Sequence, residues 1–209
     1  PEFAWRLLNT WLEDSGDHAG LDLLRFYMVY RALVRVEVAG LRAMDSSRGP
    51  ARRRADLASS ATYMDYALTL LAPEANALII THGFSASGKS RLARMLAEAL
   101  GAVRLSSDVE RKRLHGLSAL ARSASSPDAG IYREEVTRAT YARLQALAAQ
   151  VLVCGYSVIV DATCLHVWQR NLFRDLARKM DLPFLILDCR APEALLRKRV
   201  DERARRGGN

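Results

Sequence analysis

The sequence predicts an α/β fold, a three-layer sandwich with a parallel sheet, preceded by an all-helical N-terminal annex. Three observations lead there. From Asn76 onward, short apolar runs alternate with helix-length amphipathic stretches, the pattern of βαβ units and therefore of a parallel sheet. The first of these runs, Ala77–Thr81, leads into Gly83-Phe84-Ser85-Ala86-Ser87-Gly88-Lys89-Ser90, which is G-x-x-x-x-G-K-S between a strand and a helix. Before Asn76 the apolar residues recur at helical spacing throughout. The motif makes the sheet that of a P-loop NTPase, with the annex over residues 1–72 and the P-loop domain over 76–209.

In the annex, Trp5, Leu8, Trp11 and Leu12 mark a first helix, broken at Glu13-Asp14-Ser15-Gly16-Asp17. A second helix spans Leu21 to Ala43, with a wide apolar face that includes Leu23, Leu24, Tyr27, Tyr30, Leu33 and Leu41. A loop at Ser46-Ser47-Arg48-Gly49-Pro50 precedes a third helix from Ala51 to Leu71, ended by Ala72-Pro73. Arg31 and Arg35, and separately Arg48 with Arg52-Arg53-Arg54, could form an anion-binding patch. The plainer reading is a solvated helix face. In the P-loop domain the strands are Ala77–Thr81, Ala102–Leu105, Ser157–Val160 and Phe184–Leu187. The helices are Lys89–Leu100, Val109–His115, Tyr132–Val153, Leu165–Met180 and Pro192–Arg206, and the Ser- and Ala-rich stretch Gly116–Gly130 carries a short helix at most.

Chemistry is expected at the carboxyl ends of the strands, where parallel sheets bind their ligands. Gly83 and Gly88 allow backbone conformations that a Cβ forbids, so that the N–H groups from Gly83 to Arg91 can turn toward phosphate oxygens. The helix starting at Lys89 adds its positive N-terminal end. Lys89 can reach the β- and γ-phosphates and the Ser90 hydroxyl can ligate Mg²⁺. Val158-Ile159-Val160-Asp161 is an apolar strand ended by a carboxylate, which can hold Mg²⁺ directly or through water. Asp108, after the second strand, could accept the proton of a substrate hydroxyl, with Arg111 clamping substrate or transferring phosphate; equally, it could N-cap the helix that follows. Arg197, Arg199, Arg203, Arg205 and Arg206 crowd the last helix, where a lid would cover transferring charge. His82 and His166 read as local hydrogen-bonding residues, and no His/Cys group has zinc spacing.

Composition sets the frame. No apolar run approaches the ~20 residues of a membrane helix, and no secretory signal pattern opens the chain. Three cysteines, Cys154, Cys164 and Cys189, show no paired spacing, which fits free thiols and a cytoplasmic protein. The 31 basic and 23 acidic residues leave a net charge of +8. A nucleic-acid partner is compatible with that balance; an arginine-rich composition plus the cations of a phosphate site explains it more simply.

The segments THGFSASGKS, LSSDVERKRLHGL, IYREEVTRATYARL, GYSVIVDATCLHVWQRNLFRDLA and FLILDCRAPEALLRKRVDERARRGG together resemble one family. It is the P-loop kinase domain called AAA_33 or zeta-toxin-like, similar to polynucleotide kinase and gluconate kinase. It forms the C-terminal half of two-part bacterial proteins whose other half is aminoglycoside-phosphotransferase-like. The stretch LLNTWLEDSGDHAGLDLLRFYMVYRALVRVEVAGLRA looks like the tail of that other half. The resemblance implies a hydroxyl-activating role for Asp108 and a substrate role for Arg111. It implies a phosphate loop of Gly83, Ser87, Gly88, Lys89 and Ser90, a D-x-T motif of Asp161 and Thr163, and lid arginines Arg199 and Arg203. Ala86 stands where such loops often carry Gly, which a negative φ would accommodate. The resemblance also implies a piece of a longer protein, since such chains continue past Gly207-Gly208-Asn209.

The expected function is an ATP- and Mg²⁺-dependent kinase acting on a hydroxyl acceptor, small molecule or polynucleotide 5′ end, with no membrane partner. An ATP-binding regulatory or interaction module with slow hydrolysis at most is the rival. GTP ranks below ATP, because no N-K-x-D guanine-reading motif occurs. The acceptor and the oligomeric state are not written in the sequence.

Overall fold

The computed structural model describes residues 2–72, 75–118 and 133–205. The chain divides into two compact units, Pro1–His18 with Ala75–Asn209, and Ala19–Glu74.

The first unit is built on four parallel strands, β1 (Leu78–His82), β2 (Val103–Ser106), β3 (Val158–Asp161) and β4 (Phe184–Asp188), in the order β2-β3-β1-β4. The register pairs Ile80 with Val160 and with Ile186. It also sets Ser106 beside Asp161 and His82 beside Asp188, so the polar residues closing each strand gather at one end of the sheet. Successive strand residues point to opposite faces. Ile79 and Ile159 pack with Ala93, Leu96 and Ala97 of α4 (Lys89–Leu100), and small alanines on that helix let it approach the sheet closely. The alternate residues Leu78, Ile80, Val158 and Val160 are fully buried on the other face. Helices α6 (Glu134–Val153) and α7 (Val167–Lys179) pack on the sheet, joined by α5 (Ser107–Leu114) beside β2 and α8 (Glu193–Arg205) after β4. This is the expected α/β sandwich.

Element limits lie within a few residues of those read from sequence. One shift matters: α5 starts at Ser107 with Ser106 as its N-cap, so Asp108 sits inside the first turn and is not the cap. Most of the Ser- and Ala-rich stretch Gly116–Gly130 lies outside the described residues.

The single annex expected over residues 1–72 is divided. Helix α1 (Glu2–Ser15) belongs to the sheet unit, where it packs on α4 and β2. The reason is Asn9. Its Nδ2 donates to the Ala102 carbonyl at 3.0 Å and its Oδ1 accepts from the Arg104 N–H at 2.7 Å. One side-chain amide thus does for the outer edge of β2 what a neighbouring strand's peptide would do. Arg6 adds a surface pair with Glu98 of α4 at 2.6 Å.

The second unit is a helix pair, α2 (Leu21–Met44) and α3 (Pro50–Leu71). The turn between them is fixed by the Asp45 carboxylate, which accepts from the Ser47 N–H at 2.9 Å and the Ser47 hydroxyl at 2.7 Å. Ala32, Ala39, Ala43 and Ala67 are buried, while the large residues of the expected apolar face, Leu23, Tyr27, Tyr30, Leu33 and Leu41, are exposed. Helices contacting through alanines need no bulky seam, which is why the sequence pattern overstated burial there. Arg31 and Arg35 line an open groove of about 410 Å³ with Tyr27, Tyr63 and Tyr66.

Candidate functional site

The loop from β1 to α4 is shaped by two glycines. Gly83 has φ +135°, and a Cβ there would stand 2.3 Å from the Cys189 carbonyl oxygen, so no other residue fits. Gly88, at φ +97°, turns the chain into α4. Ala86 departs from expectation: its φ is +67°, in the left-handed region, where an L-residue costs about 1 kcal/mol or more. Phe84 and Ser85 are exposed at the loop tip, and Arg91 is exposed in the first turn of α4. The Ser87 hydroxyl is buried, with no hydrogen-bond partner among the described residues. Buried polar atoms are normally satisfied, and an orphan inside a glycine-turned loop fits a phosphate ligand. The buried Lys89 folds over the same loop and donates to the Phe84 carbonyl at 2.5 Å.

Ser90 follows at the start of α4, and its hydroxyl donates to Asp161 Oδ1 at 3.2 Å. A hydroxyl and a carboxylate oxygen are the hard donors that Mg²⁺ takes. Two protein oxygens suit a cation that keeps several waters and shares phosphate oxygens. The residues present therefore fit that ion. Asp161 is 4% exposed, and its charge is balanced by Arg104, itself 5% exposed. Arg104 Nη2 reaches Asp161 Oδ2 at 2.6 Å and its Nε reaches the same oxygen at 3.1 Å. The remaining end of that guanidinium, Nη1, pairs with Glu13 of α1.

At the end of β2, Asp108 is half-buried and its Oδ2 pairs with Lys112 one turn on at 2.6 Å. Arg111, on the same helix, is half-buried. The helix itself is tied down by Glu110, a buried carboxylate held by Arg113 and by Arg143 of α6. The last helix contributes Arg199, whose Nη1 donates to the Ala86 carbonyl at 3.1 Å. Arg197 pairs instead with Glu193 on its own helix, and the Arg203 side chain and Arg206 lie outside the described residues. His82 bonds Asp188 Oδ1 at 3.0 Å, and Arg190 bonds the other oxygen at 2.6 Å. Together, led by the His82 bond, they hold the Asp188 carboxyl below the usual carboxylate range. Burial pushes the Cys164 thiol up to about 12 and raises Cys189 as well, so neither offers a thiolate near neutral pH. Among the described residues no group of three or more His, Cys, Asp or Glu could hold a metal.

Residues 78–209 match the family model AAA_33, described as an AAA domain. The chain belongs to the AAA_33 family. Uncharacterized proteins of Mycobacterium tuberculosis (strain H37Rv) and Mycobacterium bovis are 32% identical to it over 199 residues, covering 93% of this chain. The chain spans 38% of the length of those relatives. The crystal structure of a candidate kinase from Chloroflexus aurantiacus superposes with a TM-score of 0.53 at 24% identity, covering 64% of this chain and 69% of that one. That likeness carries the fold. The AAA_33 match begins at β1 and therefore excludes α1, although α1 is part of the same compact unit.

Three residues at the site escaped the sequence reading. Arg104 had a signal: a charge inside the run Val103-Arg104-Leu105 must find a partner if that strand is buried. Asn9 had none, because it reads as an ordinary polar position of a helix more than ninety residues upstream, and Glu13 stands in the segment expected to break that helix, whereas α1 runs on to Ser15.

Proposed function

We propose that this chain is an ATP- and Mg²⁺-dependent kinase domain that transfers the γ-phosphate to a hydroxyl group of its acceptor. The observation that carries this is the phosphate loop, with its orphaned Ser87 hydroxyl and inward Lys89, meeting the Ser90–Asp161 oxygen pair at the ends of β1 and β3. In this reading Lys89 leaves the Phe84 carbonyl for phosphate oxygens, and the loop amides from Gly83 to Arg91 line the phosphates. Ser90 and Asp161 would hold Mg²⁺, which when bound neutralises charge across the phosphate oxygens. Asp108 orients the acceptor hydroxyl and takes its proton through the oxygen not paired with Lys112. Arg111 binds the acceptor side, and Arg199, already against the loop, shields charge as the phosphoryl group moves, with Arg203 as a second lid arginine.

A regulatory ATP-binding module is the second reading, favoured by the Asp108–Lys112 pair, which occupies one carboxylate oxygen. The deciding experiment is label transfer from γ-labelled ATP to nucleosides, sugar acids, aminoglycosides and 5′-hydroxyl oligonucleotides, with wild type and Asp108→Asn in parallel. Transfer to one class, lost in Asp108→Asn while nucleotide binding persists, supports the kinase. Acceptor-independent hydrolysis that the substitution leaves unchanged overturns it. The tail-of-a-phosphotransferase reading of residues 1–72, and a cytoplasmic location, rest on the sequence alone. No described helix is long and apolar enough to cross a membrane.

A further inference from the structure

We infer that Glu13, on the N-terminal helix and outside the family match, is a positioning residue for the metal side of the site, acting through Arg104 on Asp161. This rests on the kinase reading only in so far as Asp161 faces a nucleotide-bound cation. Three charges form a line that runs inward: the partly exposed Glu13 on α1, then the buried Arg104 on β2 and Asp161 on β3. The guanidinium spends Nε and Nη2 on one oxygen, Asp161 Oδ2, and Nη1 on Glu13. Two consequences follow from that geometry. Asp161 keeps only Oδ1 for Ser90 and a cation, so its orientation is fixed by Arg104. With both carboxylates present, the line retains one net negative charge beside the Ser90–Asp161 oxygens. Without the Glu13 charge, Arg104 would neutralise Asp161 alone, and the attraction for a divalent ion would drop.

The backbone of the same residue serves the other side of the site. The Glu13 carbonyl accepts from Arg113 Nη2 at 2.7 Å, and Arg113 stands on α5, the helix that carries Asp108 and Arg111. A side-chain substitution leaves that carbonyl in place and so isolates the Asp161 branch. Glu13→Gln is the sharp variant, because glutamine keeps an oxygen acceptor for Arg104 and removes only the charge. Residues that orient metal ligands without touching the ion typically set about tenfold or more in metal affinity.

The test is titration of the 209-residue chain with a fluorescent ATP analogue, with Mg²⁺ and with chelator, for wild type, Glu13→Gln, Glu13→Ala and Arg6→Ala. Arg6→Ala is the control, since it removes the surface contact of α1 with Glu98 and leaves the charge line intact. Thermal melts identify folded protein. Glu13→Gln and Glu13→Ala are expected to lose about tenfold of the Mg²⁺-dependent gain in affinity while chelator-only affinity holds, with Arg6→Ala like wild type. An unchanged Mg²⁺-dependent gain in folded Glu13→Gln, or the same loss in Arg6→Ala, overturns the inference. Wild type that binds nucleotide with Mg²⁺ yet transfers no phosphate sinks the kinase reading and leaves this test decisive for Glu13. Wild type that binds no nucleotide sinks both.

Discussion

β2 and β4 close opposite edges of one sheet, and their sequences, Val103-Arg104-Leu105-Ser106 and Phe184-Leu185-Ile186-Leu187-Asp188, differ in an unexpected direction. The strand with an arginine in its middle is buried throughout, whereas the continuous apolar strand is half exposed, with Leu185 at 50% against 1% for Leu105. The difference lies outside the strands. Helix α1 covers β2, with Asn9 meeting its outward peptide groups and Glu13 meeting its arginine. Among the described residues β4 pairs with β1 alone. Burial in an edge strand is thus decided by what lies beside it rather than by its own hydropathy.

The matched leucines give the largest expected contrast. Leu105→Ala should cost about 2–5 kcal/mol, as for large-to-small changes in a packed core, and Leu185→Ala less than about 1 kcal/mol, both read by urea unfolding. Equal costs would break the comparison. Asn9→Ala should follow at about 2 kcal/mol, because it leaves the Ala102 carbonyl and Arg104 N–H buried and unmet; a loss within about 0.5 kcal/mol would mean that the edge is satisfied another way.

Acid should loosen the turn after α1 and the β4 end in different ranges. Burial lowers the His18 pKa, so the folded state resists its protonation. The unfolded chain then takes up the proton first, and stability falls as pH drops below about 6.5. His18→Gln should flatten the melting temperature across that range. At the β4 end the lowered Asp188 carboxyl contributes stability that is present above the unfolded value and lost as pH falls through the still lower folded one, so its effect begins only below about pH 4. The smallest effect belongs to Leu185→Lys, within about 0.5 kcal/mol, with less self-association by light scattering, since a charge on an open edge discourages strand addition.

The sheet, its helices and the phosphate loop were legible because periodicity and an eight-residue motif with four fixed positions are local signals. The negative φ that would accommodate Ala86 is not met, and no window of sequence shows it, because the loop is anchored at Gly83 by Cys189 and Thr163, far along the chain. The apolar face of α2 was misjudged because periodicity names a candidate face without naming what packs on it. Glu13 and Asn9 were invisible for a related reason: their partners lie across the whole helix pair of residues 19–74.

That separation has a temporal meaning. Asn9 and Arg104 are 95 residues apart. At about 5–20 residues per second, α1 leaves the ribosome roughly 5–20 s before the strand it covers exists. During synthesis the helix pair can close on itself first, from contacts near in sequence. The edge of β2, and with it the Glu13–Arg104–Asp161 line, is completed only when both ends of a long loop meet, which places this corner among the late, slow contacts of folding.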